Sequence, residues 1–307
     1  MAKDYKPLDL LSKEQLKEIR EKRDWINVVA ISLNWLQIIF AMALFFYFPN
    51  ALTFLVSVVV IGSRQFALAV LAHDGAHNLL FRNEKINDLA SQWFCAFPIF
   101  SDNRPYRLYH LAHHRFTETE SDPDLSLSAP FPITKASFRR KVFRDLTGLT
   151  GFKRYSIAFK SIFSSEADNL TGKVKKISDK FSGFLLTNVI ILTLTAIFLH
   201  WSIYFLLWWI PAFTYYSLIV RIRSISEHSV TPGETNLNNT RTTKASLFLR
   251  YLMVPHHVNF HLEHHLFTNC PWYNLPKVHA MLKDQSYSDK MCIENSYFSV
   301  LKKATSG

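Results

Sequence analysis

Thirteen histidines lie along the 307 residues, and eight of them fall in three tight clusters. His73 and His77 stand in HDGAH, His110, His113 and His114 in HLAHH, and His261, His264 and His265 in HLEHH. On a helix, positions i, i+3 and i+4 project from one side. Each cluster is therefore expected to aim its imidazoles at a common point. Neutral imidazole is a good ligand for iron, zinc or copper. Eight such ligands are too many for one ion, since a structural zinc site closes with four and a catalytic one keeps three plus water. Two metal ions in an all-histidine shell are the economical expectation.

Further candidates flank the clusters. His228, in RIRSISEHS, is expected either as a ninth ligand or as a support for one. His256 and His257 follow Pro255 at a helix entrance, and His257 is four residues before His261. Asp74, Glu118, Asp122, Asp124, Glu227 and Glu263 lie in or beside the clusters and are candidates to orient and polarise the imidazoles. The bland reading of each is a solvated or capping carboxylate. His200 and His279 stand alone and read as ordinary core or surface residues.

Something must bring these clusters together. Residues 12–24 lack Gly and Pro and open on Ser12 and Gln15, which fit a capping box. Apolar runs then cover about 25–48 and 51–72, separated by Pro49 and Asn50, and about 183–199 and 203–220, separated by His200, Trp201 and Ser202. The first two runs are long enough for a roughly 30 Å hydrocarbon layer, which takes about 20 helical residues. Such short breaks predict two tight hairpins. The apolar stretch 86–100 is too short to span and is expected as an interfacial or re-entrant helix.

Charge supplies the orientation. Lys3, Lys6, Lys13, Lys17, Arg20, Lys22 and Arg23 precede the first run, and the two short breaks carry no Lys or Arg. Apart from Arg64, the remaining basic residues fall in 73–182 or 221–307. The positive-inside rule puts 1–24, 73–182 and 221–307 in the cytoplasm. His73, HLAHH and HLEHH then all lie on one face of the membrane. The expected fold is thus an all-α membrane protein forming a single domain over 1–307. It has four transmembrane helices in two hairpins, and a cytoplasmic helical cap holds the histidine-rich di-metal site. A net charge of +11 without a base-reading motif speaks against nucleic acid as the partner. Cys95, Cys270 and Cys292 form no CxxC pair and read as reduced thiols. The opening MAKDYKPLDLLSKEQ lacks a signal peptide's apolar centre.

HDGAH, HLAHH and HLEHH, in this order and in this relation to paired apolar runs, resemble the three histidine boxes of the membrane fatty acid desaturase and hydroxylase superfamily. The resemblance covers about 25–285 and includes RIRSISEH and NFHLEHHLFTNCPWYNLP. It implies a non-haem di-iron centre held by His73, His77, His110, His113, His114, His228, His261, His264 and His265. It also implies O₂ as co-substrate and a lipid-like substrate. The first box, HxxxH, departs from the HxxxxH of acyl-CoA desaturases, and the second, HxxHH, from the HxxxHH of alkane hydroxylases. Bacterial, carotenoid-type and front-end members are more similar. The HPGG motif of a fused haem domain is absent, so electrons are expected from a separate ferredoxin, rubredoxin or b-type cytochrome.

Desaturation is the first expectation. Hydroxylation, ketolation or oxidative decarboxylation of a fatty acid, carotenoid or other apolar chain is the alternative within the superfamily. A zinc membrane hydrolase is disfavoured by ligand number. A non-catalytic metal binder or transporter would want its ligands near the bilayer midplane. Arg64, the one charge inside an expected span, either meets a polar substrate group, pairs with a buried carboxylate or snorkels to the interface. Arg139, Arg140, Lys141 and Arg144 could dock an acidic electron donor or anionic lipid, or be ordinary cytoplasmic positive charge.

Overall fold

The computed structural model describes residues 4–164, 169–285 and 287–307, so Lys3 lies outside the described residues. Helix α1 (Lys13–Ile19) opens on the expected capping box: Ser12 Oγ accepts from Gln15 N and Gln15 Oε1 from Ser12 N. Among the described residues, four helical stretches are long and apolar enough to cross a membrane. The first two contribute α2 (Asp24–Tyr47) and α3 (Ala51–Ala76). Asn50 caps α3 by accepting from Leu52 N and Thr53 N. The two helices pack side by side, with Ser57 Oγ donating to Ala41 O at 2.8 Å. Helix α3 extends past residue 72, the expected end of the span, so His73 sits within its last turns rather than after it.

The 86–100 stretch is α4 (Glu84–Ala90), then a π-helical turn (Ser91–Ala96) and a 3-10 turn (Phe97–Ile99). It packs inward. Trp35 Nε1 donates to Phe94 O at 3.0 Å, Trp208 Nε1 reaches Pro98 O at 3.3 Å, and the two indoles stack 5.8 Å apart. Both tryptophans belong to helices of membrane-crossing length. Gly75 makes room for the segment against the first histidine cluster, since a Cβ there would fall 2.2 Å from Ser91 Cβ.

Helix α5 (Asn103–Phe116) carries HLAHH. Helices α6 (Lys135–Leu146) and α7 (Leu149–Phe163) lead to α8 (Leu170–Phe198), which begins well before residue 183. The fourth long stretch, α9 (Trp201–His228), contains a π-helical turn at Phe205–Trp209 and a break at Thr214. Pro211, with no backbone N–H to donate, accounts for the disturbance. Asn188 of α8 ties the two together by accepting from Tyr204 Oη and Trp208 Nε1, each at 3.1 Å. Because α9 continues to His228, the RSISEH motif is its final turns rather than a loop beyond a span ending at 220.

The last region holds α10 (His261–Leu266), α11 (Leu275–Asp284) and α12 (Tyr297–Ala304), with a parallel pair of two-residue strands, β1 (Thr242–Thr243) and β2 (Ile293–Glu294). Leu10, Leu16 and Ile19 pack with Leu262, Val278 and Leu282, so the N-terminal segment helps bury the helix carrying the third cluster.

Candidate metal centre

The nine histidines converge in two neighbouring groups. His73, His77, His110, His114 and His264 form one, and His113, His228, His261 and His265 the other; within each, the potential ligand atoms all lie within 4.8 Å of one another. The groups adjoin, with the His114 and His265 rings 4.2 Å apart.

The first box points at a single place, as its spacing suggested, but the second and third do not. On a helix turning about 100° per residue, positions i and i+4 differ by roughly 40°, whereas i+3 lies roughly 100° from i+4. His110 and His114 accordingly share the first group while His113 goes to the second, and His261 and His265 share the second while His264 goes to the first. Helices α5 and α10 thus exchange their odd members. The five-histidine group is completed by His73 and His77 from the end of α3, and the four-histidine group by His228 from the end of α9.

The donor set suits cations. His264 and His110 each bring Nε2 to 2.9 Å from His114 Nε2; His228 and His265 bring theirs to 2.8 and 3.0 Å from His261 Nε2. A neutral imidazole has one N–H, so nitrogens packed this way face one another with lone pairs that a metal would satisfy. The Nε2 atoms of His73 and His77 are buried without any hydrogen-bond partner. Burial also keeps the rings neutral. Desolvation lowers His110, His114, His261, His264 and His265 far below the usual imidazole value, and His77 to about 4.

Carboxylates surround the two groups unequally. Asp122 lies 2.8 Å and Asp124 3.8 Å from His113 Nδ1, Glu118 3.5 Å from His228 Nδ1, and Glu227 3.5 Å from His261 Nε2. Glu227 also pairs with Arg223 at 2.6 Å. All four border the four-histidine group. Among the described residues Asp74 alone approaches the other, 3.3 Å from His73 Nδ1, and its second oxygen accepts from Trp272 N. Glu263 points away from both groups, to Thr242 Oγ1 and to His279 Nδ1 at 2.5 Å. His279, on α11, is therefore half of a part-buried polar contact. Thr117 was also missed: its Oγ1 sits 3.2 Å from His265 Nδ1. Neither residue stands in a box, and spacing carries no signal for either.

The remaining candidates stand apart. His256 Nε2 is 3.0 Å from Asn34 Nδ2, and the His256 and His257 rings pack on Trp272. Neither joins a histidine group. Arg64 is 5% exposed, so it does not snorkel. Its guanidinium donates to Ser63 Oγ and Tyr251 O and lies over the Tyr251 ring. His200 caps the start of α9, accepting from Ser202 N.

An apolar cavity of about 840 Å³ lies between α2, the 89–98 segment and α8, lined by residues such as Ile31, Trp35, Phe81, Ala90 and Ile190. A second, of about 290 Å³, shares Trp35, Ile39, Ile191 and Leu194 with it and continues to Ala43 and Phe198. Together they follow α2 from Val28 to Ala43, about 22 Å at helical rise. Ala90, at one end, adjoins Ser91, which packs on Gly75 between the histidines of the first box.

Comparison with known proteins agrees with this geometry. A family model described as fatty acid desaturase matches residues 49–293. The chain is 26% identical over 243 residues to a dihydrorhizobitoxine desaturase of Bradyrhizobium elkanii, covering 76% of this chain and 68% of that one. It is 25% identical to an sn-1 oleoyl-lipid 12-desaturase of Arthrospira platensis, with 81% and 72% covered. A Delta(5) fatty acid desaturase of Caenorhabditis elegans is 24% identical, with 81% and 61% covered.

Proposed function

Since this chain belongs to the fatty acid desaturase family, we propose that it is an O₂-dependent di-iron oxidase that introduces a double bond into a membrane-borne acyl chain. The carrying observation is the division of nine histidines into groups of five and four with their Nε2 atoms facing inward. In this reading His73, His77, His110, His114 and His264 hold one iron ion and His113, His228, His261 and His265 the other. Bound there, the iron pair supplies the O₂-derived oxidant needed to remove hydrogen from an unactivated C–H bond, which no side chain can do.

The protein's own contribution is positioning. Asp122 accepts from the outer nitrogen of His113 and so directs its inner one toward the metal, and Glu118 lies 3.5 Å from the outer nitrogen of His228. Arg223 offsets the buried charge of Glu227. The apolar groove along α2 suits an extended hydrocarbon chain and keeps water from it. Ala90, which lines the groove, is followed by Ser91, which packs on Gly75 of the first box. We further read the chain as one domain of two helical hairpins with both termini and 101–182 in the cytoplasm, which the basic residues favour. A ferredoxin, rubredoxin or b-type cytochrome would supply the electrons.

The deciding experiment is product analysis with isotopically labelled O₂ and purified, iron-loaded protein in lipid. A new double bond with label only in water is expected. Label in an alcohol or ketone would replace desaturation by oxygenation. Turnover unaffected by iron removal would overturn the metal assignment.

A further inference from the structure

The helix that carries the second histidine box has an outer face as specific as its inner one. His110, His113 and His114 of α5 point into the two histidine groups. Arg104, Leu108, Leu111 and Arg115 recur on the opposite side at the spacing of a helical stripe, and all four are exposed. Leu108 is 74% exposed and Leu111 45%. Arg104 is held by Asp102 at 3.2 Å yet remains largely open to solvent. Arg115 lies near the Phe116 ring and has no carboxylate partner among the described residues. The result is two leucines between two arginines, an apolar centre with a cationic rim, as protein interfaces are built.

We propose that this stripe is where an acidic one-electron carrier protein docks. The inference rests on the oxidase reading, because that reaction sets an electron demand. Converting CH₂–CH₂ to CH=CH releases two hydrogens with two electrons. Reducing O₂ to two waters takes four electrons and four protons. Two electrons must come from a carrier of the iron–sulfur or haem class and two protons from water. The stripe places such a carrier one helix diameter, about 10 Å, from the histidines of the same helix, a short path for an electron. A net charge of +11 favours an acidic partner, and a small patch suffices, since redox encounters are among the smallest specific interfaces.

The basic run on α6 fits differently. Arg139, Arg140 and Arg144 are exposed there beside Phe143 and Leu146, and α7 adds Leu149 and Phe152. Large aromatic side chains mixed with arginines suit the headgroup boundary of a bilayer. It also lacks the direct helical link to the histidines that α5 provides.

The test uses full-length, iron-loaded protein in lipid nanodiscs, with reduced ferredoxin, rubredoxin and b-type cytochrome as probes. Donor oxidation is followed by stopped flow without lipid substrate, and dithionite provides a reductant that needs no docking site. Leu108→Ser and Arg115→Glu should each slow oxidation of at least one protein donor about tenfold or more, and Arg115→Glu should also flatten its salt dependence, with the dithionite rate unchanged in both. Arg139→Glu/Arg140→Glu/Arg144→Glu should leave donor oxidation as in the parent. Equal donor rates in the α5 variants and the parent would overturn the site, as would loss by both routes or a loss confined to the α6 variant. The acidic-carrier assignment fails if none of the three probes reduces the parent. If donor oxidation depends on Leu108 and Arg115 but no lipid product forms, docking stands and the desaturase reading falls.

Discussion

The five-histidine and four-histidine groups are built from the same two helices, yet their surroundings differ. In the five-histidine group α3 supplies a second pair, His73 and His77, and Asp74 is the one carboxylate at hand among the described residues. The four-histidine group has His228 alone from α9 and four carboxylates within 3.8 Å of its rings. One histidine fewer on that side is thus matched by negative charge around the other rings. For two cations held side by side by neutral imidazoles, mutual repulsion is a large cost, and nearby carboxylates reduce it. The four-histidine group is the one to expect to depend on them.

Removing a ligand should have the largest effect and test whether the groups are separate. On the di-iron reading, His228→Ala and His73→Ala should each leave about one iron ion per chain instead of two. Activity should fall by more than the roughly 10–100-fold typical of losing a group that only supports a ligand. Iron analysis of both variants checks this. Retention of two ions by His228→Ala would remove His228 from the ligand set, and loss of both ions from either variant would show that the groups act as one.

The carboxylates should separate the groups more finely. Asp122→Asn leaves the shape of the 2.8 Å contact with His113 but removes its charge, and iron affinity should drop about 10–100-fold at the four-histidine group. Asp74→Asn should do less, because Asp74 is 3.3 Å from His73 whereas Asp122 is 2.8 Å from His113. Metal titration of the two variants gives the ranking. An equal or larger loss for Asp74→Asn would contradict the unequal dependence.

A third perturbation should not distinguish the groups. Helix α10 gives His264 to one and His261 and His265 to the other, and its Glu263 is held by His279 and Thr242. His279→Ala should therefore lower iron affinity at both by similar factors, about tenfold, the usual range for losing a charge-assisted contact behind a ligand. His279→Gln, able to donate to Glu263, should recover part of the loss. An effect confined to one group would mean that α10 shifts as more than a rigid unit.

The legible and illegible parts of the site divide along these lines. Box histidines announce themselves by spacing, and the long apolar runs by length; both are local signals. The capping box at Ser12 and Gln15 is equally local. Which box member joins which group was not readable, because it depends on how α5 and α10 face each other. Expecting the second and third boxes each to aim at one point overlooked the angle of roughly 100° between positions i+3 and i+4. Helix α3 runs on past residue 72 because HDGA has no helix breaker strong enough to stop it, and hydropathy alone marked the end too early. His279 and Thr117 lay beyond reach for a simpler reason: their partners are brought to them only by tertiary packing.

Thr117 offers the smallest and most local test. Its Oγ1 lies 2.8 Å from His113 O, a carbonyl that can only accept, so the hydroxyl hydrogen is committed there. Toward His265 Nδ1, at 3.2 Å, the same oxygen can then only accept. His265 must carry its proton on Nδ1, which leaves the Nε2 lone pair facing His261 and the four-histidine group. A single hydroxyl thus sets the tautomer of one ligand without any charge. Thr117→Val keeps the side chain's shape but leaves that N–H without a partner, and a neutral hydrogen bond is worth about 1 kcal/mol. Iron affinity should fall roughly fivefold at the four-histidine group and stay unchanged at the other. Thr117→Ser, which restores the hydroxyl, should return it to the parental value. A loss shared by both groups, or one that Ser fails to repair, would mean that Thr117 acts by ending α5 in the right place and not through His265.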